Sequence, residues 1–157
     1  MNETLERLVR TLDLAAPDRE DLSLAFGHAC VARVQHLLEE PEVLTCLATL
    51  GAYVQGRIDR AQFDAAVAHA ARLASQHPGS KSIDGCGHAA VSATYAVAKA
   101  LAGQALQAAE YAAYAAVYGD GGYGAVAHRE SFQPEFDWQC DCLARLAADF
   151  RRVPARS

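Results

Sequence analysis

Apolar residues recur every three or four positions through almost the whole chain, and this spacing predicts helices. Leu5, Leu8, Val9 and Leu12 mark a short first helix, closed by a turn at Ala16-Pro17-Asp18. Leu22, Phe26, Cys30, Val34 and Leu37 line one face of a second, expected to run unbroken until Glu39-Glu40-Pro41. Proline suits the first position of the third helix, where its missing N–H costs nothing. That helix carries Val43, Leu47, Leu50 and Val54 and ends at Gly56. Asp59 is positioned to cap a fourth, with Phe63, Val67, Ala70 and Ala74 on its inner face.

A polar connection, residues 76–81, leads to a fifth helix that begins near Asp84 or Cys86 and runs to Leu101 or Ala102. It has two apolar stripes, Val91-Tyr95-Ala98 and Ala90-Thr94-Val97-Leu101, and a helix apolar on most sides belongs at the centre of a fold. Gly103 separates it from a sixth, Gln104 to about Tyr118. The glycines from Gly119 to Gly124 open what reads as a long irregular loop to Gln133. Pro134 starts the last helix, whose expected buried row is Phe136, Cys140, Leu143, Ala147 and Phe150. Residues 153–157 read as a frayed tail.

No segment alternates with period two, and no linker divides the chain. The expectation is a single all-α domain over residues 1–157, with its core at about 20–152. Six or seven antiparallel helices would pack around alanine-rich central ones. Alanine allows helix axes to approach to roughly 8 Å, so many close contacts replace large side chains.

Composition narrows the function. The chain has 157 residues, and 19 acidic against 14 basic side chains leave a net charge of −5. That balance argues against phosphate-neutralising nucleic-acid binding and suits a basic protein partner. No apolar run reaches about 18 residues, so no membrane span is expected. The five cysteines, Cys30, Cys46, Cys86, Cys140 and Cys142, form no disulfide framework and read as thiols of a cytoplasmic protein.

Candidate chemistry is thin. Cys140 and Cys142 lie two apart, so on a helix they diverge by about 200° and cannot grip one ion; Cys140 is expected inside and Cys142 near the surface. His28 with His36, and His69 with His77, are about two turns apart, too far for a metal pair. Glu39-Glu40 and the acids Asp18, Glu20 and Asp21 sit at helix ends as solvated or dipole-matching charges. The glycine segment lacks the Lys-Ser/Thr of a phosphate loop. Cys86-Gly87-His88 is the exception. A helix start favours the thiolate, and Cys86 with His88, and Glu110 as a further group, could support a metal-binding or enzymatic alternative.

The sixth helix suggests a surface instead. Tyr111, Tyr114 and Tyr118 are spaced three and four apart, while Ala105, Ala109, Ala112 and Ala116 occupy the opposite side. Tyrosine combines a rigid apolar ring with a polar tip, which suits a contact face. Tyr123 in the following segment, and Trp138 off the main apolar row of the last helix, are candidates for the same face.

The order of features then carries a resemblance. Leu50-Gly51-Ala52-Tyr53-Val54-Gln55-Gly56 is followed by Arg60-Ala61 through Ala74, and then by Gly87-His88-Ala89 opening an alanine-rich helix. Ala108-Ala109-Glu110-Tyr111-Ala112-Ala113-Tyr114-Ala115 comes next, and Glu135-Phe136-Asp137-Trp138-Gln139 with Leu143 closes the series. Over roughly residues 20 to 150 this resembles immunity protein family five of bacterial polymorphic-toxin systems. Gly87, His88, Trp138 and Gln139 are the motif positions. The resemblance implies a helical, cytoplasmic, non-enzymatic protein without cofactor that binds and neutralises a cognate toxin domain; whether it also forms a homodimer is left open.

Overall fold

A computed structural model describes residues 1–77 and 86–152, the side chains of Cys86, Arg151 and Arg152 excepted. The expected connection at 78–81, the alternative helix start at Asp84 and the tail at 153–157 lie outside the described residues. Among those described there are seven α-helices and no strand: α1 (Glu3–Thr11), α2 (Glu20–Ala32), α3 (Pro41–Val54), α4 (Arg60–Ser75), α5 (Cys86–Leu101), α6 (Ala105–Val126) and α7 (Gln133–Arg152). The protein is an all-α helical bundle.

The strongest local signals act where the sequence puts them. Pro41 occupies the first turn of α3. Asp59 accepts from the Gln62 amide while the Gln62 side chain accepts from the Asp59 amide, a reciprocal capping box that starts α4. Gly56 and Gly103 follow α3 and α5 with φ of 74° and 77°, a left-handed geometry that glycine adopts without strain.

The centre belongs to α5 and α6, which share the most extensive contact in the fold, and α5 also packs on α2, α3 and α4. Ala89, Ala93, Ala96, Ala108, Ala109 and Ala112 are fully buried. The small side chains bring backbones together: a Cβ added at Gly27 in α2 would lie 3.2 Å from the Ala100 Cβ and 3.3 Å from its Cα. Larger side chains close the core around this centre, among them Phe26, Leu50, Phe63 and Leu143. The core also extends before residue 20, because Leu5, Leu12 and Leu14 are buried in the same cluster.

Three segments differ from their sequence reading. The second helix does not run to Leu37. It ends at Ala32, Val34 leaves helical geometry at φ −115° and ψ 11°, and a 3-10 turn (Gln35–Leu37) follows. Val34 nevertheless stays buried, so the inward row survives the break. The segment after Tyr118 is not an irregular loop. Helix α6 continues through Gly119, Asp120 and Gly121, breaks at Gly122 (φ 64°, ψ −154°), turns once more to Val126, and leads through a 3-10 turn (Arg129–Phe132) into α7. Packing explains the glycine there, since a Cβ at Gly119 would lie 3.1 Å from the Leu37 side chain.

The third difference is the register of α7. Its buried stripe is Glu135, Gln139, Cys142, Leu143 and Ala147, whereas Phe136, Cys140 and Phe150 are only partly buried. Cys142 is therefore the inner cysteine of the pair and Cys140 the outer one, the reverse of expectation. Counting apolar residues selected the wrong edge of the stripe because its first two members are polar.

Candidate functional site

The tyrosines of α6 form an aromatic face with residues from three other segments. Tyr114 lies edge-on to Phe132 (ring centroids 5.1 Å apart, planes at 74°) and 6.3 Å from Tyr118. Tyr118 stacks on His88 of α5 at 5.3 Å and meets Tyr123 edge-on at 5.9 Å. Tyr123 closes the triangle by packing edge-on against His88 at 5.1 Å. Phe132 continues the row to Phe136 at 5.6 Å. Offset and edge-to-face pairs at these separations are the favoured aromatic geometries. Tyr114 and Tyr123 remain 37% and 44% exposed, so the row is open to solvent at two points.

The backbone break at Gly122 makes this arrangement. It changes the chain direction immediately before Tyr123, whose ring packs against His88. Beneath the row, Ala113, Val117 and Phe132 form a small second core, flanked by Ala125, Val126 and Phe136.

Not every sequence candidate joins it. Tyr111 turns toward α5 and stacks on Tyr95 at 5.4 Å. Trp138 lies over the Arg33 guanidinium, 4.1 Å from ring centroid to carbon. Gln139 is buried and donates from Nε2 to the Ala109 carbonyl at 2.8 Å, tying α7 to α6, while its Oε1 has no partner among the described residues. Gly87 stands in the first turn of α5, next to His88. The Cys86 side chain lies outside the described residues, so its proposed pairing with His88 has no geometry. Among the described residues no three His, Cys, Asp or Glu side chains gather as metal ligands.

Two features escaped the sequence reading. The first is the grip on Arg33, whose Nε and Nη2 donate to the two oxygens of Glu135 at 2.8 and 2.9 Å. Glu135 and Trp138 are one turn apart on α7 and hold the same guanidinium, by charge and by ring face. The paired carboxylate raises the Arg33 pKa above its ordinary value. Nearby, burial pushes the Cys30 thiol well up, with Cys142 and Glu135 adding to the effect, and burial likewise raises Cys142. These thiols are held in the unreactive protonated form.

The second is a cavity of about 150 Å³ where α1, α6, the 3-10 turn and α7 meet. Tyr114, Phe132 and Phe136 belong both to its wall and to the aromatic row. Its lining includes the charged side chains Glu6, Glu110 and Arg129, and Met1 with its N-terminal ammonium. Asn2 holds α1 in place there: its side-chain Oδ1 accepts from the Leu5 amide and its Nδ2 donates to the Phe136 carbonyl. One signal for this region was present in the sequence, since Phe132 and Phe136 are four apart and share a helical face if the last helix starts early.

Comparison with family models, with curated proteins and with solved structures finds no match to this chain. Among the described residues no helix is long and apolar enough to cross a membrane.

Proposed function

We propose that this chain is a stoichiometric binding protein of the immunity type, which docks on a cognate toxin domain in the cytoplasm and blocks it through the face formed by His88, Tyr114, Tyr118 and Tyr123. The observation that carries the reading is the aromatic row with two exposed rings, mounted on the tightly packed pair α5 and α6. Rigid aromatic side chains lose little entropy on binding and dominate the energetics of protein interfaces. The acidic balance of 19 to 14 supports a basic partner and faster encounter with it. Four described cysteines are free thiols, which suits a reducing compartment. Trp138, clamped over Arg33, supports the bundle rather than the docking face.

Co-expression with the toxin domain encoded by the neighbouring gene tests this. The wild-type chain is expected to rescue growth and to bind the purified toxin one to one. Tyr114→Ser with Tyr123→Ser should weaken that binding at least about thirtyfold, the minimum for one lost hot spot, while leaving the circular dichroism spectrum unchanged. Failure of the wild-type chain to rescue sinks the immunity reading for that toxin. Full binding by the double variant sinks the assignment of the face.

A further inference from the structure

The cavity beside the aromatic row joins an apolar wall to charges of both signs. Leu106 and Val126 line it together with the rings of Tyr114, Phe132 and Phe136. Its volume of about 150 Å³ is comparable to cavities that admit a benzene-sized group. The wall is preformed. Phe132 packs edge-on to Tyr114 at 5.1 Å and meets Phe136 at 5.6 Å, while Asn2 ties the start of α1 to the Phe136 carbonyl at 3.3 Å. Four charged groups border it: the carboxylates of Glu6 and Glu110, the Arg129 guanidinium and the N-terminal ammonium of Met1. None of the four makes an ion pair within 4.0 Å among the described residues. Two anions and two cations therefore share one small space without direct contact between opposite signs.

We propose that this cavity binds a free α-amino acid with an aromatic or branched apolar side chain. The side chain enters among the three rings, the ammonium group faces Glu6 and Glu110, and the carboxylate faces Arg129 and the Met1 ammonium. Charge selects this class of ligand. A simple cation meets repulsion from Arg129 and Met1, and a simple anion meets it from Glu6 and Glu110. An uncharged molecule gains nothing from any of the four. A zwitterion offers each sign its opposite and leaves the balance of the lining unchanged. Size agrees, because only a phenyl or isobutyl group has to be enclosed. Glu110 and Arg129 are exposed, so the charged head stays at the rim. Apolar walls with a few convergent polar groups are the usual form of a small-molecule site. This binding goes beyond toxin docking and does not depend on it.

The full chain, labelled with nitrogen-15, is titrated with L-phenylalanine and, in parallel, with phenethylamine, hydrocinnamate, benzyl alcohol and glycine, following the amides of Glu110, Ala113, Tyr114 and Phe132. L-Phenylalanine should give a saturable shift with a dissociation constant on the order of millimolar, as expected for about a dozen heavy atoms. The amine and the acid, each lacking one charge, should bind about three- to fivefold more weakly, the range of a solvent-accessible ion pair. Glycine, which has no side chain to enclose, should give no saturable shift. Two variants then cross over. Glu110→Gln should weaken L-phenylalanine and phenethylamine but not hydrocinnamate, and Arg129→Gln should weaken L-phenylalanine and hydrocinnamate but not phenethylamine. Both positions are exposed, so both changes should leave the fold intact. The proposal is overturned by the absence of a saturable shift with L-phenylalanine, or by equal binding of benzyl alcohol, the amine or the acid. Glycine binding as tightly as L-phenylalanine, or variants that weaken every ligand alike, would overturn it too. A negative titration leaves toxin docking standing, and a failed rescue leaves the titration standing, so the two readings fail separately.

Discussion

The alanine-packed centre and the aromatic edge solve the packing problem in opposite ways. Between α2, α5 and α6 the contacts are numerous and small. A Cβ added at Gly27 would lie 3.2–3.3 Å from the Ala100 Cβ and Cα, atoms that cannot yield by changing a rotamer. At the edge, a few large rings meet at 5–6 Å around a second core with three buried members. The first arrangement specifies where the helices sit. The second leaves rings partly exposed and available to a partner. Such a rigid base suits the docking function proposed above, because it limits the ordering cost on binding.

The contrast can be broken most forcefully at the centre. Gly27→Leu should cost about 3 kcal/mol in urea unfolding, the upper end for overpacking, because Ala100 opposes the new side chain with its backbone. A loss under 1 kcal/mol would show that α2 and α5 can slide apart and that the centre is not rigid. The clamp between α2 and α7 comes next. Arg33→Met leaves the buried Glu135 carboxylate without its cation, and about 2 kcal/mol is expected, below the fully buried range because Arg33 itself is 40% exposed. Adding Glu135→Gln should recover part of that loss, and a double-mutant cycle measures how much.

At the edge, Tyr123→Ser alone should change stability by no more than about 0.5 kcal/mol, as for exposed positions generally, so a larger loss would move Tyr123 from the proposed docking face into the fold's support. The smallest effect concerns acid. His28, half-buried beside Gly51, has its pKa lowered by burial from 6.5. The unfolded chain therefore takes up the proton first, and the stability that neutral His28 allows is present above about pH 6.5 and declines as pH falls toward the lower folded value. The melting temperature of His28→Gln should fall less than that of the wild type between pH 7.5 and about 5.5. Equal declines would exclude His28 as a contributor.

Much of the edge was hidden in the sequence for a reason that particular residues make clear. Tyr114 and Tyr118 could be assigned to one face from their spacing alone. That His88 lies between Tyr118 and Tyr123 could not, because it depends on the approach of α5 to α6 and on the turn at Gly122. Likewise, Glu6, Glu110 and Arg129 are scattered along the chain and converge only where α1 meets α6 and α7. Trp138 gave a true signal, an aromatic side chain that had to be explained, but its partner Arg33 lies far away in sequence.

By itself, the sequence determines the helical class, the start of α4 at its capping box, the ends of α3 and α5 at left-handed glycines, and the division of α6 into an alanine side and a tyrosine side. These follow from spacing and from hydrogen bonds closed within a few residues. Tertiary structure decides that Gly119, Asp120 and Gly121 are helical and that Glu135 and Gln139 face inward. Glycine has little helical propensity and a carboxylate resists burial, so local energetics oppose both outcomes. Leu37 against Gly119, the Ala109 carbonyl on Gln139, and Arg33, 102 positions from Glu135, supply the packing, hydrogen bond and charge that reverse those preferences.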